Sequence, residues 1–325
     1  MRLGWVWLLV AAGLGFPAVA SADPQFSLPV DCALGKTCFI QNYVDTEMSA
    51  AAKDFTCGSL SYDGHKGTDI RLKNYGAMDA GVDVLAAAPG TVLRTRDGMD
   101  DVNVRKIGVD AIKDREAGNS VIIDHGDGWV TQYAHMKKGS VAVQPGRQVS
   151  GGTRLGKIGL SGDTEFPHLH FEVRHDDKPV DPFTGERMEA GCGLKDHSLW
   201  RDDIAYIPTG LLGDGFALEK PSPEVARHGG YAGTALTIQS PALVYWIDVF
   251  GLQEGDRLRL SLTGPNGQVM VENETPIDRP KAQFFALLGK KRPGSGWKSG
   301  LYIGKLEILR GDQVVITATN QIALP

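Results

Sequence analysis

The stretch 165-EFPHLHFEVR-174 places two histidines two residues apart within a run that is otherwise typical of a β-strand. Residues i and i+2 of a strand point to the same side of a sheet. We therefore expect His168 and His170 to project together, with Leu169 and Phe171 on the opposite, core-facing side. Two adjacent imidazoles either bind a ligand or destabilise the strand. The stretch thus predicts a β-sheet with a binding site on one face.

The size and composition of the chain are those of a globular protein with two domains. Its 325 residues can bury a good core in each domain. Hydrophobic residues make up 42% and charged residues 22%, which is typical of soluble globular proteins. The formal net charge of -5 gives no basic field of the kind that nucleic-acid binding needs. We predict no nucleic-acid partner.

The first 22 residues have the pattern of a secretory signal peptide. Arg2 supplies a minimal positive region, the apolar core runs from Leu3 to Leu14, and Ala20-Ser21-Ala22 forms a small-residue cleavage site. Asp23 would be the new N-terminus. No later segment is long and apolar enough to span a bilayer. We predict a secreted mature protein without a transmembrane segment.

Export changes the interpretation of the four cysteines, because disulfides form in oxidising compartments. Four cysteines allow three pairings. We prefer Cys32 with Cys38, which would close a short local loop, and Cys57 with Cys192, which would tie the start of one segment to its end. A zinc cluster is the weaker interpretation, since the chain has no Cys-x-x-Cys pair.

We predict a mainly β fold divided into an N-terminal segment over residues 23–55, a β-rich domain over 56–195, a linker over 196–222 and a second β-rich domain over 223–325. Glycine-containing turns such as 125-HGDG-128 punctuate the first domain and indicate hairpins. A polar insertion over residues 97–118 is expected to form a surface loop, with a groove wall or a calcium site as alternatives.

The C-terminal block is expected to be a sandwich of immunoglobulin type. Leu258, Leu260 and Leu262 alternate with polar residues, which indicates one buried and one solvent-facing side. About six such strands in roughly 100 residues favour that architecture. We expect the sandwich to bind a polymer or a partner, or to contact the rest of the chain.

A second motif, 64-GHKGTDIRL-72, supplies further metal-ligand side chains. Its glycines and the alternating 69-DIRL-72 predict a loop that leads into a strand. Asp69 would face outward near the strand start, with His65 folded back beside it. Together with one of the two strand histidines, these residues can form a three-ligand zinc site that leaves a position open for water.

A third motif, 131-TQYAHMKK-138, contributes His135 at the end of a predicted strand. His-x-x-x-Asp, Tyr-Ala-His and Pro-His-Leu-His-Phe-Glu, in that order, resemble the zinc endopeptidases of family M23, the lysostaphin- or LytM-type enzymes. The segments 118-GNSVIIDHG-126 and 159-GLSG-162 are also similar to that family. The resemblance covers about Cys57 to Asp181, less than half of the chain.

The resemblance implies roles for the five residues. His65, Asp69 and His170 would bind one Zn²⁺ per chain. His135 and His168 would act on the water and the developing oxyanion without binding the metal. The implied fold is the M23-type β-sheet, barrel-sandwich-like, and the implied reaction is hydrolysis of peptide cross-links in peptidoglycan by a zinc-activated water. Which histidine is the base stays open.

Other residues and functions are given less weight. Glu172 shares the side of His168 and His170, but the resemblance assigns it no direct role. A structural role is expected for His125, and surface or linker positions are expected for three more histidines: His175, His197 and His228. A metal-free regulator that activates another wall hydrolase is the main alternative function. It is disfavoured because such relatives generally lack zinc ligands. A lipoyl-like carrier would leave the histidines unexplained.

The expected location is the Gram-negative periplasm. The sequence has no sortase-type tail, no lipobox cysteine at the cleavage site and no repeated wall-binding module. In such an envelope the expected target is a D-alanyl–diaminopimelate cross-link. Residues 23–55 are proposed to cover the groove and hold the enzyme latent.

Overall fold

The computed structural model describes residues 23–194, 197–233, 235 and 237–325. The predicted signal peptide, residues 1–22, lies outside this part of the chain. The described chain is mainly β, as predicted, and its strands form two successive domains. Within the described residues, no helix has the length and hydrophobicity needed to cross a bilayer.

The first domain consists of short antiparallel strands with few helices. Its strands are β1 Cys38–Asn42, β2 Thr68–Leu72, β3 Asp83–Leu85, β4 Gly90–Arg96, β5 Asn119–Gly126, β6 Trp129–Met136, β7 Gln148–Val149, β8 Arg154–Lys157, β9 His168–His175 and β10 Lys178–Val180. The helices are α1 Tyr75–Ala80 and α2 Val104–Ile107, with 3₁₀ turns at Val109–Ile112 and Met188–Ala190.

The main sheet of this domain has the order β1-β2-β9-β6-β5-β4-β7, and β10 pairs with β9 outside this order. Strands β3 and β8 form a separate ladder. Ile70, Leu169 and Phe171 alternate with polar residues, and each of these three side chains is fully buried. The core-facing side predicted for Leu169 and Phe171 is therefore confirmed, and the opposite face of the sheet carries the polar residues.

The segment over residues 23–55 is an integral part of this domain. Strand β1 pairs with β2 at the edge of the main sheet, and Phe26 is buried in the core. The sheet therefore starts before the predicted boundary at residue 56. Local patterning misses this because β1 is stabilised by pairing with a strand some 30 residues later.

The second domain is a β-sandwich. Its strands are β11 Gly210–Ala217, β12 Ala242–Leu252, β13 Arg257–Thr263, β14 Val269–Pro276, β15 Lys281–Lys291, β16 Gly300–Arg310 and β17 Gln313–Leu324, with α3 at Pro223–Arg227. One sheet has the order β11-β12-β15 and the other β14-β13-β16-β17. Tyr245, Leu260 and Leu306 pack between the sheets. Two antiparallel sheets packed face to face form the architecture of a β-sandwich.

The structure has a strand within the predicted linker over residues 196–222. Gly210–Ala217 within it is strand β11, which pairs with β12 along its length. The two domains are also in contact: the rings of Phe39 and Phe250 lie 5.2 Å apart, with Leu212 in the same cluster. Glycine-rich composition suggested a linker, whereas pairing with a long central strand makes the segment an edge strand.

Both disulfides have the preferred pairing. Cys32 is bonded to Cys38 and Cys57 to Cys192. The second bond joins residues 135 positions apart and so encloses most of the first domain. Closing so long a loop restricts the unfolded chain strongly.

Candidate active site

The register of β2 against β9 brings the predicted residues together. Asp69 lies opposite His170, and Arg71 lies opposite His168. Directly opposed residues of antiparallel strands share a face. Asp69, Arg71, His168 and His170 therefore project from the face opposite the core, as the alternation of β9 predicted for the two histidines.

Three of these side chains converge on one point. His65 Nε2 and His170 Nδ1 lie 3.1 Å and 2.9 Å from the same Asp69 oxygen, Oδ1. The two imidazole nitrogens are 3.1 Å apart. His65 donates its Nδ1 proton to the carbonyl of Tyr43 at 2.7 Å, so its Nε2 lone pair faces the cluster. Two imidazole nitrogens and one carboxylate oxygen form a donor set that fits a divalent metal such as zinc.

Gly67 makes this close approach possible. A Cβ atom at residue 67 would lie 2.7 Å from both His170 Nε2 and the carbonyl of Phe171. Any side chain there would displace the strand that carries His170. A glycine is therefore required between His65 and Asp69 for steric reasons.

His168 and His135 flank the cluster without joining it. His168 Nδ1 lies 2.9 Å from the carbonyl of Phe166, and His135 Nδ1 lies 2.8 Å from that of Ser161. Each Nδ1 therefore donates to a carbonyl, and each Nε2 keeps its lone pair. The two rings are 4.7 Å apart, and His168 Nε2 is 3.4 Å from Asp69 Oδ1.

His135 reaches this side of the sheet through an unusual backbone conformation. Tyr133 faces the core opposite Phe171, so regular alternation would point His135 away from the site. His135 has φ of +61°, a left-handed conformation that few non-glycine residues adopt. Such conformations persist only where surrounding contacts maintain them, and they concentrate at functional sites.

The electrostatics of the cluster favour positive charge at its centre. Burial by itself raises the pKa of Asp69, but His65 and His168 lower it well below its usual value. Burial likewise lowers the pKa of His170, but the hydrogen bond with Asp69 and the nearby carboxylate of Glu172 raise it to about 9. Burial and the neighbouring His168 lower the pKa of His135 well below its usual value. The carboxylate thus stays ionised where the nitrogens converge.

Glu172 is the outer partner of His170. Its Oε2 lies 3.9 Å from His170 Nε2, on the side away from Asp69. A carboxylate behind a ligating histidine orients the ring and raises its basicity. The backbone carbonyl of Tyr43 has the same position behind His65. The motifs indicated neither orienting group, although strand alternation put Glu172 on the correct face.

The site opens into a cleft between the two domains. This site cleft, of about 880 Å³, is lined by Asp69, His168 and Phe166 on one side and by Arg279–Gln283 of the sandwich on the other. A second cleft of about 730 Å³ continues past Phe166 and is called the Arg71 cleft. The sandwich therefore forms one wall of the groove.

The insertion over residues 97–118 also contributes to the groove, since Arg105 lines both clefts. Its acidic side chains bind neighbouring loops: Asp97 accepts from the amides of Gly139 and Val141, and Asp101 accepts from that of Leu160. These contacts favour the groove-wall interpretation over a calcium site. In the described residues, one cluster of three or more side chains could hold a metal ion, and it consists of His65, Asp69 and His170.

The remaining histidines lie elsewhere. His125 bonds Pro89 and Thr131 through its two nitrogens, at 2.7 Å and 2.8 Å, which fits a structural role. His175 stacks on Trp129. His228 stacks on Tyr75 of the first domain at 4.1 Å and so lies at the domain contact. His197 is exposed.

Sequence reasoning missed Arg71, a fully buried cation beside the site. Burial lowers its pKa to about 9, so the guanidinium stays charged at neutral pH. The available signal was its place two residues after Asp69 on a strand, which puts both side chains on one face.

An antiparallel sheet with a His-Asp-His group, two further histidines and a cleft defines a candidate metal-dependent hydrolase. The model of peptidase family M23 matches residues 63–182. This part of the chain is therefore similar to the peptidases of family M23.

Curated relatives match the same part of the chain. Cell division protein DipM of Caulobacter vibrioides is 34% identical over 117 residues, which is 34% of this chain and 18% of that protein. Peptidoglycan DD-endopeptidase ShyA of Vibrio cholerae is 34% identical over 116 residues, 36% of this chain and 21% of that protein. A lipoprotein NlpD/LppB homolog of Pseudomonas aeruginosa is 32% identical over 120 residues, 34% of each chain. The chain thus spans about a third or less of these relatives' lengths.

Solved structures give a looser match. A zinc-containing peptidase from Vibrio cholerae is 26% identical, with a TM-score of 0.28 over 44% of this chain and 39% of that one. The catalytic domain of a point mutant of the M23 protein EnpA from Enterococcus faecalis is 23% identical, with a TM-score of 0.27 over 41% of this chain and 81% of that one.

Proposed function

We propose that this chain is an exported, zinc-dependent endopeptidase that hydrolyses peptide cross-links of bacterial peptidoglycan. The observation that carries the proposal is the convergence of His65, Asp69 and His170 at hydrogen-bond distances, with two more histidines beside them. The domain is similar to the peptidases of family M23, and one matching relative is named a peptidoglycan DD-endopeptidase.

The three converging side chains would hold the metal. When bound, Zn²⁺ supplies Lewis-acid polarisation of the scissile carbonyl and lowers the pKa of a water molecule. Asp69 stays ionised, as its lowered pKa indicates. Glu172 and the Tyr43 carbonyl orient the two imidazoles from behind.

His135 and His168 would move the proton. Each ring donates Nδ1–H to a backbone carbonyl, which fixes its orientation and leaves Nε2 as the acceptor. The lowered pKa of His135 keeps that ring neutral before reaction. A neutral imidazole can take a proton from the attacking water and return one to the leaving amine.

Export to the periplasm is part of the proposal. The two disulfides suit an oxidising compartment. A further relative, 34% identical over 119 residues, is named outer membrane antigenic lipoprotein B of Haemophilus influenzae.

The test is a digest of purified sacculi by the chain from Asp23 onward, read by mass spectrometry of the released muropeptides. Loss of cross-linked dimers is expected for the wild type and for His175→Ala, a matched control on the same strand outside the cluster. No loss is expected for His170→Ala or after chelation. Intact sacculi with a wild type that holds zinc would contradict the proposed substrate. Intact sacculi without zinc would favour the regulator.

A further inference from the structure

Arg71 is a buried cation without an acidic partner. Only 2% of the residue is exposed to solvent. Its Nη1 donates to Gln41 Oε1 and its Nε donates to the carbonyl of Leu72 at 3.2 Å. Both partners are neutral, and no salt bridge to Arg71 occurs among the described residues. A buried charge is costly unless a counter-charge accompanies it.

The neighbouring carboxylate of Asp248 is already occupied. It accepts from Arg227 Nε at 2.7 Å and Nη2 at 3.1 Å, and from Gln283 at 2.7 Å. Arg105, which lines the same clefts, forms a 2.7 Å pair with Glu165. Arg71 is therefore a fully buried cation of this groove, and no described acidic side chain forms a salt bridge with it.

The position of Arg71 connects it to the site. It lies two residues beyond Asp69 on β2, about 7 Å along a strand, and opposite His168. Its guanidinium carbon lies 4.5 Å from the ring centre of Phe166, and Phe166 lies 4.7 Å from His168. The row His168, Phe166, Arg71 leads from the candidate metal centre into the Arg71 cleft.

The unused edge of the guanidinium suits a carboxylate. Nη2 of Arg71 has no hydrogen-bond partner among the described residues, and Arg71 lines the cleft wall. Arginine binds carboxylates through parallel N–H donors in a fixed geometry, and such charge-assisted bonds are roughly twice as strong as neutral ones.

We propose that Arg71 binds a free carboxylate of the substrate on the residue next to the scissile bond, and so sets specificity for an anionic peptide. This inference rests on the proposed peptidase function. A cross-link through the side-chain amine of diaminopimelate has such a group, since the carbon attached to the scissile nitrogen carries a carboxylate. Phe166 holds the guanidinium in position by stacking.

The test compares two synthetic D-alanyl–diaminopimelate cross-linked peptides that differ only in that carboxylate, one free and one amidated. The wild type is expected to cleave the acid with kcat/KM roughly 10- to 100-fold above the amide, the range of a hydrogen bond to a charged group. Arg71→Gln should remove this preference by slowing cleavage of the acid alone. Arg105→Gln is the matched control in the same groove and should leave the ratio unchanged.

Folding and binding measurements complete the design. Circular dichroism and zinc content identify a variant that fails to fold. If Arg71→Gln fails to fold, Arg71→Lys is used instead. Lysine keeps the positive charge but lacks the paired N–H donors of arginine, so this variant should retain an intermediate preference for the acid. Affinity for the same two peptides is also measured with chelated wild type, by titration calorimetry, and tighter binding of the acid is expected.

The outcomes separate the two proposals. Equal cleavage of acid and amide by the wild type overturns the role of Arg71 and leaves the peptidase standing. No cleavage of either peptide contradicts the proposed function instead. Binding then decides the role of Arg71: at least tenfold tighter binding of the acid supports it, and equal binding overturns it.

Discussion

The two domains are both antiparallel β-structures, but they treat charge in opposite ways. The peptidase sheet buries His65, Asp69, Arg71 and His168 on one face, each under 5% exposed. The sandwich core between its sheets is apolar, and most of its ion pairs, such as Arg259 with Glu274, lie on the surface.

This difference shows which of the two domains carries the candidate reactive groups. Burying polar groups reduces stability unless they are bonded to one another. In the peptidase sheet, the five predicted residues and Arg71 form a dense group of such polar side chains, most of them buried. The sandwich contributes a groove wall and an apolar core.

The largest expected effect is on the buried cluster. Asp69→Ala should abolish zinc binding and reduce cross-link hydrolysis by about 10³-fold or more, because the metal contributes several kcal/mol to the transition state. Metal content by mass spectrometry and the muropeptide assay would check this. Asp248→Asn, a change at a buried aspartate of the sandwich, is the comparison and should keep bound zinc. Full activity of Asp69→Ala would remove the basis for the contrast.

The sandwich should respond in stability instead. Leu306 is fully buried between the two sheets, and Leu306→Ala should lower the free energy of unfolding by about 3–5 kcal/mol, as for other leucines truncated in a core. Urea denaturation followed by tryptophan fluorescence measures the change. Val315→Ala, at an exposed position of β17, should change stability by less than about 0.5 kcal/mol. Similar losses for both variants would show that the core is loosely packed.

Asp181 should make the peptidase domain sensitive to pH. Burial raises its pKa to about 7, against about 4 for a free aspartate, and its Oδ2 has no partner among the described residues. Between these values the folded state binds the proton and the unfolded state does not. Stability should therefore fall as pH rises from 4 to 7, by up to about 4 kcal/mol.

The check is thermal unfolding of wild type and Asp181→Asn across pH 4 to 8. The variant carries no titratable group at this position and should show a flatter profile, whatever its absolute stability. Asp54→Asn is a useful contrast, because Asp54 accepts from three backbone amides and from Tyr206. A profile for Asp181→Asn as steep as that of the wild type would assign the pH dependence to other groups.

The smallest effect is expected for the exposed ion pairs of the sandwich. Glu274 bridges Arg257 and Arg259, at 3.4 Å and 2.8 Å, with side chains about a third exposed. Glu274→Gln should cause only a small loss of stability, and a smaller one at high salt. Unfolding curves at low and high ionic strength test this, and a larger, salt-independent loss would show that charge matters in the sandwich as it does in the peptidase sheet.

Much of the peptidase site could be predicted from short-range pattern. Alternation placed His168 and His170 on one face, and the loop-to-strand pattern placed His65 beside Asp69. The disulfide pairing and the mainly β fold were also predicted correctly. The alternation in the strand and the short Cys32–Cys38 loop depend on residues within a few positions of one another, which a linear sequence displays.

Other features could not be predicted because they depend on contacts between distant segments. Strand β1 is defined by pairing with β2, and β11 by pairing with β12. Both lay in stretches assigned to a terminal segment or a linker. Alternation would have turned His135 toward the core, and its left-handed φ reverses this.

The sequence by itself determined which side chains can bind a metal, and on which face of a strand two of them lie, because side-chain chemistry and the period of a strand are local properties. Only the tertiary structure decided that the sandwich forms a wall of the groove and that Arg71 is buried with no acidic partner in the part of the chain that the structure describes. Burial and charge compensation depend on everything that packs around a residue, and here the packing elements lie far apart in the chain, as Arg71 and Phe166 do.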